Sequence, residues 1–469
     1  MRSAIEILAI VLGGVAVGAC GGTTTSAPLG QGDETANGDA GTDGGIGSLD
    51  GSSPSTGSDG GSPSNGLDSG SNGQDSGSAP SGPSGYAIPL TAPEGADFEY
   101  TASVTIGDQS FALSLDTGST TLGVGGTGCT TCTGVTPLYT PSSTAMATGK
   151  RAESQYADGT GWSGPVYTDT VTLGDGSPSV SLELVDITKA TGQQGDSFFD
   201  GSNDDQGILG LGPSLNELPN TTGYLPVLAG SGVTNTFAFE LCDTMGANAG
   251  TMWLGGDGSP GSSVVYTPLV AINDQNSFYA INVDGMSLGG TTIVSNASST
   301  FAQPVLDTGT SLFYVPTSVF NTFQSTLEAS SGFTALFGSN TFATSGDAAG
   351  CVTDASVTDA EVEAMLPPIS LSLPATGGGA DVTIQASALD TYLYDGGDGQ
   401  FCLAIQDGGT QDPSTFGDAF MQGFHIVVDI AGNRVGFAPP SACAAPLIQH
   451  RSHRPAKTGP HRGPRPNRR

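Results

Sequence analysis

Basic side chains are scarce in this chain. Twelve Lys and Arg face 45 Asp and Glu, for a formal net charge of −33. Only Arg2, Lys150, Arg151, Lys189 and Arg434 occur before residue 449. A body this acidic repels nucleic acid and anionic membrane surfaces, so neither is an expected partner. It also loses net charge, and self-repulsion with it, as pH falls. Histidine is nearly missing too: of four, only His425 lies outside the C-terminal tail. Serine and cysteine hydrolases usually need an imidazole, and a lone His on an apolar strand is more often packed in a core than catalytic. No His, Cys and carboxylate group has zinc spacing, and Cys129-x-x-Cys132 has neither a partner pair nor a surrounding βαβ pattern. A zinc site and a thioredoxin-like site are thereby excluded, and no metal or cofactor is expected. Charged residues make up 12% while Gly numbers 73, a profile of strands joined by Gly-rich turns rather than of a helical bundle.

The N-terminal apolar run, Ile7 to Ala19, has 13 residues, too few to span a bilayer as a helix. It fits the h-region of a signal peptide. Val17-Gly18-Ala19-Cys20 resembles the bacterial lipobox, which makes 1–19 a lipoprotein signal peptide and Cys20 the lipidated residue. Gly21, rather than Asp, after that Cys favours outer-membrane sorting. The expected location is therefore across the inner membrane, lipid-anchored at the outer membrane or cell surface, with no other membrane contact. Of the seven cysteines, removing Cys20 leaves six, an even number suited to an oxidising compartment. Residues 20–85 are Gly, Ser, Asp, Asn, Thr and Pro with almost no large apolar side chain. Such a segment cannot bury enough surface to offset its ordering entropy and reads as a flexible tether. Residues 448–469 carry seven Lys and Arg and no Asp or Glu, and read as a disordered basic tail.

Between tether and tail the pattern is that of strands. From Phe98 onward, Tyr100, Ala102, Val104 and Ile106 alternate with Thr101, Ser103 and Thr105; Gly107-Asp108 turns the chain; Phe111, Leu113 and Leu115 then alternate with Ala112 and Ser114. This period of two predicts a hairpin with one buried face. Val171 and Leu173 alternate with Thr170 and Thr172 in the same way. Helices are predicted only near Thr317–Glu328 and Asp359–Leu366.

Two elements carry chemistry. Phe111-Ala-Leu-Ser-Leu-Asp116-Thr117-Gly118-Ser119-Thr120 and Pro304-Val-Leu-Asp307-Thr308-Gly309-Thr310-Ser311 each deliver Asp-Thr-Gly and a hydroxyl from an apolar strand into a turn. Gly allows a tight bend, and the hydroxyls can bond the carboxylate. One such turn is commonplace in a Gly- and Thr-rich chain; two, 191 residues apart, point to a duplicated lobe. The chain resembles the pepsin family over roughly 86–447. Asp205-Gln-Gly-Ile-Leu-Gly210-Leu211-Gly212 is similar to the hydrophobic-hydrophobic-Gly element behind the first loop, and the stretch from Phe416-Gly417-Asp418 to Asp429 is similar to the second. Asn433 to Pro439 matches the family's ending, and Ser154-Gln155-Tyr156-Ala157-Asp158-Gly159-Thr160-Gly161 resembles its flap, with Tyr156 as the flap tyrosine.

The resemblance implies an all-β, bilobal pepsin-like fold, with lobes at 86–262 and 263–447 and a cleft for an extended polypeptide between them. It implies an aspartic endopeptidase in which Asp116 and Asp307 share a proton; such a dyad is a known case of two close carboxyls that cannot both ionise. The ionised member takes a proton from water and the protonated one polarises the scissile carbonyl. Ser119 and Thr310 would bond the carboxylates, Thr117 and Thr308 would lock the loops, Gly118 and Gly309 would form the turns, and Tyr156 would close over substrate. The resemblance also implies a monomer and the pairings Cys129–Cys132, Cys351–Cys402 and Cys242–Cys443, the last as in the memapsin and plant branches; six cysteines allow 15 pairings. The chain departs from the pattern at Gly123, where the family usually has a Trp bonded to the flap tyrosine; Trp162 is placed to compensate. It also lacks a basic prosegment, since residues 21–95 contain no Lys or Arg. The rival reading is a catalytically silent pepsin-fold binding or inhibitor protein.

Overall fold

The computed structural model describes residues 85–443 apart from 94–98, 157–158, 193–197, 200–204, 215–217, 244–245, 261–262, 273–274, 296–299, 302, 343–349, 398, 410–413 and 442. The signal peptide, Cys20, the tether up to residue 84 and the basic tail lie outside the described residues. The period-two segment after residue 100 forms a hairpin: Thr101–Ile106 pairs antiparallel with Gln109–Asp116, from Thr101 opposite Ser114 to Ile106 opposite Gln109. Phe111, Leu113 and Leu115 are buried in the core, each contributing about 1.5–3 kcal/mol relative to exposure.

The same local construction occurs twice. Gln109–Asp116 runs parallel to Gly207–Gly210, which lies antiparallel to Leu122–Gly125. Val305–Leu306 runs parallel to Thr415–Phe416, which lies antiparallel to Phe313–Val315. Each apolar strand that ends in an Asp is thus flanked by a second strand threaded beside it. The fold is all-β and bilobal, with short helices against its sheets, among them Tyr224–Gly230 on Val180–Ile187. Ile208-Leu209-Gly210 of the first hydrophobic-hydrophobic-Gly element lies on the threaded strand, whereas the second stretch, Phe416 to Asp429, contributes only Phe416 to its threaded strand and continues as the helix Asp418–Met421 and the strand His425–Asp429.

A 14-stranded sheet holds most of the first lobe and continues through Tyr86–Ala92, Gly246–Leu254 and Thr236–Leu241 to His425–Asp429, Arg434–Ala438 and Val265–Pro268. The chain's last strands therefore return to pair with strands from its middle. Disulfides join Cys129–Cys132, Cys351–Cys402 and Cys242–Cys443, the last binding the C-terminal segment to the end of Thr236–Leu241. His425 is fully buried in this sheet. Its Nδ1 lies 2.6 Å from Glu240 Oε1 of the neighbouring strand and its Nε2 2.6 Å from the Asp257 carbonyl in the loop after Gly246–Leu254, so both ring nitrogens have structural partners.

Helices form at Thr317–Glu328 and Asp359–Met365, the latter with a full capping box between Thr358 and Glu361. Three more among the described residues, Tyr224–Gly230, Ser331–Phe337 and Asp418–Met421, are not predicted from the sequence; they are short, and none has the full capping box that marks Asp359–Met365. Tertiary burial, rather than an amphipathic repeat, stabilises so short a segment; Tyr224, Leu225 and Leu228 of the first are buried. Among the described residues no helix is long and apolar enough to cross a membrane.

Of the buried carboxyls apart from the two Asp-Thr-Gly turns, Asp186 has an oxygen without a hydrogen-bond partner among the described residues. Asp186, in Val180–Ile187, sits against Gly126, where an added Cβ would meet that oxygen, its Oδ1, at 1.5 Å. Burial pushes the carboxyl up to about 6 from its ordinary 3.8. A pKa raised on folding means that the folded state binds the proton more tightly. Its contribution is present in full below the unfolded value and is lost as pH rises through the folded one. Asp186→Asn is therefore expected to flatten the fall in stability between pH 3.8 and about 6, read from urea midpoints at each pH. An unchanged slope would show that this carboxyl is solvated in the folded protein.

Candidate active site

Asp116 stands at the end of Gln109–Asp116, where the strand turns through Thr117-Gly118-Ser119. Its Oδ1 accepts from the backbone N–H of Gly118 at 2.8 Å and of Ser119 at 3.1 Å, and the Ser119 hydroxyl donates to its Oδ2. Asp307 follows Val305–Leu306 in the equivalent turn. The Gly309 N–H donates to its Oδ1 at 2.9 Å, and the Thr310 hydroxyl to its Oδ2 at 2.9 Å. The two turns are tied by reciprocal bonds: Thr117 N–H to Thr308 Oγ1 at 3.0 Å, and Thr308 N–H to Thr117 Oγ1 at 3.0 Å. The Thr117 hydroxyl donates onward to the Leu306 carbonyl at 2.9 Å.

The carboxyls are fully buried and lie side by side: a Cβ built on Gly309 would come within 3.2 Å of an oxygen of each. The two glycines make this approach possible. A Cβ on Gly118 would lie 2.5 Å from Asp307 Oδ1, and one on Gly309 2.6 Å from Asp116 Oδ1. Any side chain at either position would force the pair apart. Burial raises the Asp116 carboxyl above the ordinary range, against the lowering pull of the Ser119 hydroxyl and Gly118 N–H. Asp307 is held well above it, first by burial and then by the adjacent Asp116. A pair with both members displaced upward keeps one proton over a range of pH in which isolated carboxyls would be ionised, and it titrates as a unit.

Asp418 also belongs to this electrostatic group, although no sequence feature singles it out. It is fully buried, both its oxygens lack hydrogen-bond partners among the described residues, and its N–H donates to the Thr310 carbonyl at 2.8 Å. Burial, then the charges of Asp307, Glu99 and Asp116, hold it well above the ordinary range.

Tyr156 lies at the end of the hairpin formed by Met146–Gln155 and Gly161–Leu173. Its hydroxyl accepts from Trp162 Nε1 at 2.8 Å, and its ring stacks on Phe198 with centroids 5.6 Å apart. Ile187 and Trp162 together fill the space beside Gly123: a Cβ there would lie 3.1 Å from Ile187 Cδ1 and 3.5 Å from Trp162 Cζ2. The hydrogen bond to the tyrosine expected from a tryptophan at 123 is thus made by one six residues beyond the tyrosine. Trp162→Phe keeps the ring but removes the donor. A several-fold fall in kcat/KM is expected, the scale of one buried hydrogen bond at about 1 kcal/mol, measured by steady-state peptide cleavage. No change would mean that the bond does not position Tyr156 in the working enzyme. Phe198 had no sequence signal, because its role arises from stacking across the fold.

Two adjacent buried carboxyls, both displaced upward, and backbone turns that hold them form an arrangement suited to acid–base hydrolysis. Among the described residues no group of three or more His, Cys, Asp or Glu could hold a metal ion. The family described as eukaryotic aspartyl protease matches residues 99–440. The chain belongs to this pepsin-like family and is an aspartic-type endopeptidase acting on peptide substrates. It is 29% identical over 355 residues to an aspartic protease of Phaffia rhodozyma, covering 74% of this chain and 77% of that protein. It is 28% identical over 361 residues to rhizopuspepsin-4 of Rhizopus niveus, covering 75% and 80%. To gastricsin of Cavia porcellus it is 27% identical over 359 residues, covering 73% and 80%.

Proposed function

We propose that Asp116 and Asp307 are the catalytic pair of this endopeptidase and that an extended polypeptide lies across them under Tyr156. The observation that carries this reading is the pair of buried, adjacent carboxyls held in two equivalent turns. The ionised member takes a proton from a water molecule that attacks the scissile carbonyl, while the protonated member donates to the carbonyl oxygen. Ser119 and Thr310 orient the carboxyls, Thr117 and Thr308 hold the turns in register, and Gly118 and Gly309 leave room for the pair. Tyr156 closes over the substrate and excludes water. One chain supplies both carboxyls, so the monomer is the working unit.

The enzyme acts outside the inner membrane, anchored by lipid on Cys20 with residues 21–85 as its tether. The lipobox at 17–20 supports this, as do the six remaining cysteines, which suit an oxidising compartment. The test of activity is cleavage of a denatured protein by the full chain from acid to neutral pH, with and without a statine-type inhibitor. A bell-shaped, inhibitor-sensitive profile is expected. No cleavage at any pH by folded, fully oxidised protein would overturn the reading in favour of a silent binding scaffold. Cys20→Ala should move the protein from the membrane fraction to the soluble one; retention in the membrane would overturn the anchor.

A further inference from the structure

The threonine lock holds the two Asp turns together from one side. A second connection runs behind them through a residue with no recognised part in the site. Tyr100 is buried at 2% exposure, immediately before Thr101–Ile106. Its carbonyl accepts from the N–H of Leu115 at 2.9 Å, and Leu115 is the residue before Asp116. Its hydroxyl donates to the Cys242 carbonyl at 3.0 Å and accepts from Gln422 Nε2 at 2.6 Å.

Gln422 caps the short helix Asp418–Met421, and its N–H donates to the Asp418 carbonyl at 2.9 Å. The other end of that helix is bonded to the second Asp turn. Asp418 N–H donates to the Thr310 carbonyl at 2.8 Å, and Ala419 N–H to the Ser311 carbonyl at 3.0 Å. Thr310 in turn donates to Asp307. One residue therefore touches the first Asp strand through its backbone and the second Asp turn through its side chain and one helical turn.

A core tyrosine needs one partner for its hydroxyl, and the Cys242 carbonyl already supplies it. The bond to Gln422 adds the link between the two halves. That bond is the only one made by the Gln422 side chain among the described residues, for its Oε1 has none. Burial holds the phenol well above its ordinary value, so it remains a hydrogen donor wherever the enzyme works.

We propose that Tyr100 is a positioning residue that sets the spacing of Asp116 and Asp307 from behind, through its bonds to Leu115 and Gln422. The proposal rests on Asp116 and Asp307 being the catalytic pair. Two carboxyls repel each other's ionisation more strongly the closer they are held. Their spacing is therefore legible in the gap between the two apparent pKa values of the pH–rate profile.

The experiment compares full-length wild type with Tyr100→Phe, Gln422→Leu and the double variant, all well below their unfolding temperatures. Tyr100→Phe keeps the ring and the bond to Leu115 but cuts the link to the helix together with the bond to the Cys242 carbonyl. Gln422→Leu cuts the same link from the other side and leaves Tyr100 bonded to Cys242. For each, kcat is expected to fall about ten- to hundred-fold with KM nearly unchanged, the scale of a misplacement of about 1 Å. The two limbs of the profile should move toward each other, and the double variant should match the single ones because one link is lost in all three. A lowered unfolding temperature with wild-type kcat and wild-type limbs would reduce Tyr100 to a packing role and overturn the proposal. Should Tyr100→Phe fail to fold, Gln422→Leu decides by the same readouts. Loss of statine-sensitive cleavage in the wild type itself would be a distinct result: it removes the catalytic pair, and this inference with it.

Discussion

Asp116→Asn and Asp307→Asn are each expected to give a folded protein whose peptidase activity is lower by about 10⁴-fold, the upper end of what a positioned acid–base group contributes. An amide in either place can still accept from the N–H groups of its turn. It can neither take a proton from water nor share one with its neighbour. Folding should survive and gain at neutral pH, because both carboxyls are shifted upward on folding, with Asp307 held further up by Asp116. Such groups stabilise the fold in full below their unfolded values and cost stability as pH rises through the folded ones. Each Asn variant should therefore lose less stability than wild type on going from acid to neutral pH. Peptide cleavage and urea midpoints on one preparation test both halves. Residual activity near that of wild type in either variant would sink the assignment of the pair.

Loss of Cys242–Cys443 is expected to be the most damaging change to stability. The bridge closes a loop of 201 residues, and chain entropy alone assigns such a loop about 5 kcal/mol. Cys129–Cys132 closes a loop of 3, for which the same relation gives roughly 1.5 kcal/mol. The double substitution Cys242→Ser with Cys443→Ser should therefore lower the urea midpoint far more than Cys129→Ser with Cys132→Ser. The first bridge also holds the C-terminal segment against Thr236–Leu241, beside the buried Glu240 and His425, whose Oε1 and Nδ1 lie 2.6 Å apart. The Ser441 hydroxyl donates to the same Glu240 oxygen at 3.0 Å, so fraying of this segment would expose a buried polar cluster. Equal losses in the two pairs would show that the loop-entropy account does not govern this protein.

Much of this fold is written locally. Phe111, Leu113 and Leu115 alternate with small and polar residues, and the pleat of a strand turns that alternation into one buried face and one free one. Asp116-Thr117-Gly118 and Asp307-Thr308-Gly309 are legible for a similar reason. A tight turn with a carboxylate at its start needs these residue types at this spacing, whatever surrounds it. The capping box at Thr358 and Glu361 is local in the same sense, and the helix it starts is predicted within a residue of its observed end.

The remaining features depend on contacts between distant parts of the chain. The replacement of a tryptophan at 123 by Trp162 appears only when the flap hairpin folds back over Leu122–Gly125. The stack of Tyr156 on Phe198 joins residues 42 positions apart. The helix Asp418–Met421 is too short to announce itself and is stabilised by burial of every one of its side chains. Tyr100 reads as one more apolar strand position until its hydroxyl meets Gln422, 322 residues away. The sequence by itself determined the strands, the two Asp turns and the chemistry their carboxyls can perform, because those follow from backbone periodicity and side-chain type. Only the tertiary structure decided which distant groups bury, pair and space those carboxyls, because desolvation and hydrogen bonding between remote segments exist only once the lobes have closed on each other.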